Sequence, residues 1–236
     1  MVMQWQNSLE FAPKTILNYR SVLNMILDMA YNDEIIERNP LTAVKPPKVI
    51  ESLSDIYDLD EINILVDTAK GQFKNVLEFN FFSGMRPSEL IALKWTKVNF
   101  DNHFAKIDER IRDGEIALPK GGKIRIIDLL PRAEKALKRQ LELTAHKEYV
   151  FVSQYGNRYN TPDSLNDQFK KLCKKCGLRE GIFYDTKDSF CTLMLENNMN
   201  ETWLTQQIGH ETISVTRKHY VGKIKPDFTQ LNTKIS

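Results

Sequence analysis

The chain reads as an α+β protein, mostly helical with one small antiparallel sheet and preceded by a short helical segment. Three observations carry that reading. Apolar residues recur at helical spacing from residue 59 to 83 and again from 131 to 208. Three short β-type runs cluster between residues 103 and 129. A polar stretch opened by Pro46-Pro47 sets the N-terminal residues apart from the rest.

The elements follow in order. Ile16, Tyr19, Leu23, Ile26 and Ala30 form the i, i+3/i+4, i+7 stripe of an amphipathic helix, with Pro13 and Thr15 at its start and Asn39-Pro40 at its exit. A piece of about fifty residues with such limited apolar surface holds no independent core, and it is expected to be the end of a larger helical domain. Residues 1–48 are therefore read as a partial helical segment, 49–58 as a linker and 59–236 as the main domain. Ile62, Leu65, Val66 and Ala69 predict the next helix, and residues 72–83 an apolar helix ending near Gly84. Pro87 suits a first helical position, leading Ser88 to Trp95. Strands are expected at His103–Asp108, Glu115–Leu118 and Ile124–Leu129, the last two joined by a hairpin at Gly121-Gly122. Helices are predicted from Pro131 to about His146, Ser164 to Cys176, Asp185 to Asn198, Glu201 to Ile208, and Thr212 to about Tyr220.

Composition bounds the function loosely. Lys and Arg number 33 against 31 Asp and Glu, a formal charge of +2, so bulk electrostatics alone does not argue for nucleic acid. Local basic clusters lie at Lys170-Lys171 with Lys174-Lys175 and around Lys120, Lys123 and Arg125. No apolar run approaches a membrane span of roughly 20 residues and no signal-type apolar stretch opens the chain, so a cytoplasmic protein without membrane contact is expected. Cys173, Cys176 and Cys191 make an odd number and no disulfide framework. Cys173-Lys-Lys-Cys176 has zinc-like spacing, but a second ligand pair is missing and Gly177 marks a helix end, so neither metal nor cofactor is expected.

Two segments carry chemistry. Gly209-His210 is followed ten residues later by Tyr220, and Gly84-Met-Arg86-Pro-Ser-Glu89-Leu opens a helix with an arginine at its start. A tyrosine nucleophile with separately delivered phosphate-binding groups is the chemistry of cutting and rejoining DNA without metal or nucleotide. A phenol with a pKa near 10 needs nearby cations and a proton acceptor to attack near neutral pH.

With Lys120-Gly-Gly-Lys123-Ile-Arg125, Tyr184-Asp-Thr-Lys187-Asp-Ser-Phe190 and Ile208-Gly-His210, these segments resemble, in the right order, the tyrosine recombinases of the phage integrase family. The resemblance covers the catalytic domain from about Leu59 to Gly222, and Thr15 to Pro47 resembles the end of that family's core-binding, DNA-binding domain. It implies that Arg86 binds the scissile phosphate, with Glu89 orienting it. Lys120 would be the general acid on the leaving 5′ oxygen, with Lys123 as the alternative. His210 would contact the phosphate or assist the nucleophile, and Tyr220 would be that nucleophile, forming a 3′-phosphotyrosyl intermediate. Tyr184 stands where the family usually has histidine, and Lys187 where it has its second phosphate-binding arginine. An ammonium keeps the charge there but loses the planar fork. The implied protein is a site-specific recombinase or integrase in the DNA integration or excision of a phage or mobile element. Its partners would be double-stranded DNA, three further copies in a DNA-bound homotetramer, and accessory DNA-bending proteins. Two alternatives stay open: a DNA-binding module of the same fold with weakened or lost catalysis, motivated by Lys187, and a helical interaction protein.

Overall fold

Helix α1 (Val2–Asn7) and the 20-residue α2 (Pro13–Asn32) begin the chain in the computed structural model, which describes residues 2–49 and 56–214. The chain divides into two compact units, Met1–Leu53 and Ser54–Ser236. In the first, Ile16 on α2 is buried, and a 3₁₀ turn at Pro40–Ala43 contributes buried Leu41, with Val44 following. Polar side chains do the rest of the fastening. Arg20 donates to the Val44 carbonyl at 2.7 Å and to Gln6, while Asn39 donates to Asn24 at 2.9 Å and Asp28 at 2.6 Å. Val22, Met25, Ile26 and Met29 of α2 stay exposed, in keeping with the thin core expected of so short a segment.

In the second unit, α3 (Leu59–Thr68) starts with a capping box in which Asp58 accepts from the Glu61 backbone and Glu61 from that of Asp58. Buried Ile62, Leu65 and Val66 follow the predicted stripe. Helix α4 (Gly71–Phe81) is buried along most of its length and lies against α6 (Pro131–Thr144). Between those two helices Glu78 takes ion pairs from Arg132 and Arg139, and Asn75 hydrogen-bonds Gln140. The unit continues with α5 (Pro87–Leu90), α7 (Asp163–Cys176), α8 (Asp185–Glu196) and α9 (Glu201–Ile208). Cys173 is buried at the end of α7, its sulfur 3.2 Å from the Tyr57 hydroxyl, and Gly177 caps the helix in the left-handed conformation.

The strands confirm the mixed class but pair differently from the sequence expectation. β1 (Val98–Asn99), β2 (Phe104–Ile107) and β5 (Arg125–Asp128) form an antiparallel sheet in the order β1-β2-β5. β3 (Arg110–Arg112) and β4 (Glu115–Ala117) form a separate two-stranded ribbon. The hairpin therefore turns at Asp113-Gly114, where both residues have positive φ (52° and 82°), as a two-residue turn matching strand twist requires. Gly121-Gly122 also has positive φ at both positions, yet it belongs to a 3₁₀ turn at Lys120–Gly122 that carries the chain from the ribbon to the sheet. The Asp-Gly pair was the stronger hairpin signal. Its first strand, only three residues long, sits inside a charged sequence.

One glycine is required by packing. Gly84 follows α4 with φ +66°, and a Cβ there would lie 2.4 Å from the buried Phe190 ring. Gly84→Ala is expected to cost upwards of about 2 kcal/mol, combining left-handed strain with overpacking. Denaturant melts would check it, and a loss below about 0.5 kcal/mol would contradict it.

Candidate active site

The site starts with a buried carboxylate. Glu89 sits in the short helix α5 with its side chain fully buried. It accepts the Arg86 backbone N–H at 3.1 Å, which holds Arg86 at the helix start. The same carboxylate meets two guanidinium groups. Arg86 Nη1 donates to Oε1 at 3.1 Å, while Arg125 donates through Nη1 to Oε1 at 3.0 Å and through Nη2 to Oε2 at 2.7 Å. Burial by itself would raise the Glu89 carboxyl, but the Arg125 hydrogen bonds and the charges of both arginines outweigh it and hold the group below its ordinary value. One negative and two positive charges leave the cluster with a net positive charge.

The C-terminal end of α9 closes on this cluster. Gly209 caps the helix with φ +67°, and its carbonyl accepts from Arg86 Nη2 at 2.9 Å. A Cβ on Gly209 would lie 3.0 Å from Arg125 Nη1 and 3.1 Å from Arg86 Nη1, so the glycine serves both the turn and the close approach of the two arginines. Gln207, buried, fixes the same helix end: it donates to the carbonyls of Ser83 at 3.2 Å and Asp128 at 3.0 Å and accepts from the Asp128 backbone N–H at 2.9 Å. His210 then leaves the helix end at a set position. Its Nε2 lies 3.1 Å from Nζ of Lys187.

Lys187 is the unusual member. It lies in the first turn of α8 with no exposed surface, at a helix end that disfavours a cation. Thr186, bonded to Asn80 at 2.5 Å and to the Phe183 carbonyl at 2.7 Å, anchors that turn. Burial, with the Arg86 charge adding to it, pushes the Lys187 ammonium down from near 10.5 to about 8, against the opposing influence of Cys191, Asp188 and Glu89. The folded value lies below the unfolded one, so the penalty is complete below about pH 8 and fades as pH rises toward 10.5. The gap amounts to up to about 3 kcal/mol. Lys187→Met is therefore expected to raise the melting temperature at pH 7 by up to about 10 °C, with the advantage shrinking at pH 10.5. Comparative melts at the two pH values check this, and a lower melting temperature for the variant at pH 7 would contradict it.

Of the residues singled out from sequence, Arg86, Lys187 and His210 come together, although they are drawn from the cap before α5, from α8 and from just after α9. Tyr184 joins them: Lys187 Nζ sits 5.6 Å from its ring centroid, and its phenol is raised by burial while the Arg86 charge acts the other way. Lys120 is exposed in the 3₁₀ turn, and the ideal Cβ of the adjacent Gly121 would lie 3.9 Å from the carboxylate of Glu211, the residue after His210. The turn thus reaches the rim of the cluster. Tyr220 lies outside the described residues. Arg125, in the sequence a member of a basic cluster and of the Lys120–Arg125 segment but given no role of its own, also joins the cluster. The available signal was its place on a strand, sharing the inward face with buried Ile127. Among the described residues, no group of three or more His, Cys, Asp or Glu is placed to hold a metal, and no helix is long and apolar enough to cross a membrane.

Comparison with known proteins identifies the family and the fold. The chain is 28% identical over 233 residues to the prophage integrase IntR of Escherichia coli K12, a match covering 88% of this chain and 57% of IntR. It is 24% identical over 221 residues to the tyrosine recombinase XerD of Listeria innocua, covering 87% of this chain and 71% of XerD. The chain thus spans little more than half the length of the first of these relatives. Its fold matches the Tn1549 transposon integrase in complex with a circular intermediate DNA, with a TM-score of 0.81 at 18% identity over 99% of this chain and 83% of that one. It also matches a lambda integrase tetramer bound to a Holliday junction, with a TM-score of 0.68 at 16% identity over 87% of this chain and 66% of that one. The sequence pattern described as the phage integrase family matches residues 53–225, and the chain belongs to that family.

Proposed function

We propose that this chain is a site-specific DNA recombinase, cutting and rejoining duplex DNA through a tyrosine in the integration or excision of a phage or mobile element. The observation that carries the reading is the meeting of Arg86, Lys187 and His210, residues far apart in sequence, in one positively charged cluster. A phosphate passing through a pentacoordinate state concentrates negative charge, and fixed donors aimed at it are the main source of acceleration in such chemistry. Arg86 spends one Nη1 and one Nη2 hydrogen bond on Glu89 and Gly209. The rest of its fork is available to phosphate oxygens.

In the proposed reaction the Tyr220 oxygen attacks phosphorus in line, the bond to the 5′ oxygen breaks, and Lys120 gives that oxygen a proton. The product is a 3′-phosphotyrosyl bond and a free 5′ hydroxyl. Because the phosphodiester energy is kept, a second 5′ hydroxyl reverses the step without metal or nucleotide. Lys187, set against His210 Nε2, places its charge beside the non-bridging oxygens, and the other ring nitrogen of His210 either donates to one of them or receives the tyrosine proton. The DNA complexes of Tn1549 and lambda integrase support duplex DNA as substrate and a tetramer on a junction as the working assembly. Action on DNA inside the cell goes with a cytoplasmic location, and accessory DNA-bending proteins fit such an assembly.

A nicked suicide duplex incubated with the protein in EDTA tests this reading. The expected result is a covalent protein–DNA adduct with release of a strand bearing a 5′ hydroxyl. DNA binding with no adduct would favour the second reading, a DNA-binding member of the family whose catalysis has weakened, which the buried Lys187 motivates.

A further inference from the structure

Glu89 is a hazard as well as a support for Arg86. A fully buried carboxylate within 3.1 Å of a guanidinium competes with any phosphate for it. In this cluster the competition is limited because Arg125 already occupies both carboxylate oxygens, at 3.0 and 2.7 Å. Arg125 is itself nearly enclosed, its side chain 10% exposed. Its remaining Nε donates to the Gln207 carbonyl at 3.0 Å, three residues before His210. One guanidinium thereby joins strand β5, which follows the Lys120 turn, to the carboxylate behind Arg86 and to the helix end that presents His210.

We propose that Arg125 is a positioning residue for this site: it saturates Glu89 with a two-pronged ion pair, so that Glu89 meets the Arg86 guanidinium through one oxygen without capturing its fork, and it fixes the α9 end relative to that fork. The inference rests on the reading of Arg86 as a phosphate-binding group. Without Arg125, Arg86 is drawn into a two-pronged pair with Glu89, and the cluster loses its net positive charge. An ion pair that merely held the fold together would behave differently. Its loss would lower stability and DNA binding together, and neutralising Glu89 as well would recover stability without speeding cleavage by the folded, DNA-bound protein.

The test is single-turnover cleavage of the suicide duplex at saturating DNA, with affinity measured separately. Arg125→Met is expected to slow cleavage by about 10- to 100-fold, the penalty of a small misplacement, with DNA affinity changed less than about threefold. The double variant Arg125→Met/Glu89→Gln is expected to be faster than Arg125→Met, because the glutamine keeps an acceptor for Arg86 without the charge. Arg125→Lys, which keeps charge but not the fork, should fall between parent and Arg125→Met, and it carries the test if Arg125→Met does not fold. Cleavage within about twofold of the parent in the single variants, or a double variant no faster than Arg125→Met, would overturn the proposal. A second readout needs no cleavage. In Arg125→Met, or in Arg125→Lys if Met does not fold, the ¹⁵N-labelled Arg86 side chain should show slower N–H exchange as Glu89 captures it, and an unchanged signal would overturn the proposal. Absence of any adduct from the unsubstituted protein would instead count against the recombinase reading, leaving the Arg86 signal to decide the role of Arg125.

Discussion

Arg86→Ala is expected to slow DNA cleavage by about 10³-fold or more while leaving the protein folded. Removing one well-placed donor to a developing charge costs about 10²–10³, and an arginine on a transferring phosphoryl group is worth up to about 10⁵. The fold survives because Glu89 keeps its two-pronged partner Arg125 and is not left as a buried unpaired charge. DNA affinity should fall only modestly, since one phosphate contact among several is lost. Single-turnover cleavage with a parallel thermal melt checks the separation. A variant that melts normally and cleaves within tenfold of the parent would contradict it.

Lys187→Arg is expected to accelerate cleavage by about 10-fold at pH 7, since a guanidinium offers two parallel donors where lysine offers a point charge. The structure adds a pH signature. Burial leaves the Lys187 ammonium at about 8, so the charge is present below that pH and lost above it, whereas arginine stays charged throughout. The groups acting on it are Arg86, which favours the neutral amine, and Cys191, Asp188 and Glu89, which favour the ammonium, while His210 sits at 3.1 Å. The ratio of variant to parent in kcat/KM, which reports the free enzyme, should therefore rise above pH 8 toward about tenfold per pH unit. Taking the ratio cancels the titration of the nucleophile, which both proteins share. A ratio flat from pH 7 to 9.5 would mean that Lys187 carries no charge the reaction uses. A ratio below one would mean that the pocket is fitted to lysine.

Much of this arrangement was legible because helical periodicity and glycine signals are local. The stripe at Ile62, Leu65 and Val66, the stop at Gly177 and the helix Glu201–Ile208 all stand where sequence puts them. Strand pairing was less legible, since register depends on partners elsewhere in the chain. Gly121-Gly122 and Asp113-Gly114 both offer positive-φ turns, and the ribbon is decided by which flanking residues find partners. The candidate site was legible as a set of residue types but not as a network. Arg86, Lys187 and His210 could be picked out by type and order. That Glu89 is shared by Arg86 and Arg125, and that a Cβ on Gly209 would crowd both arginines, are facts of three-dimensional packing. The burial of Lys187 likewise depends on how α8 meets the end of α9, which no local pattern encodes.

In the proposed reaction the Arg86–Lys187–His210 cluster serves a phosphate attacked by Tyr220. Mapping the covalent adduct tests it most directly. The protein is trapped on a nicked suicide duplex and digested, and the nucleotide-bearing peptide is sequenced by mass spectrometry, alongside Tyr220→Phe. The modified residue should be Tyr220, and the Tyr220→Phe protein should still bind DNA but give no adduct. An adduct on Tyr184, or one that persists in Tyr220→Phe, would contradict this reaction.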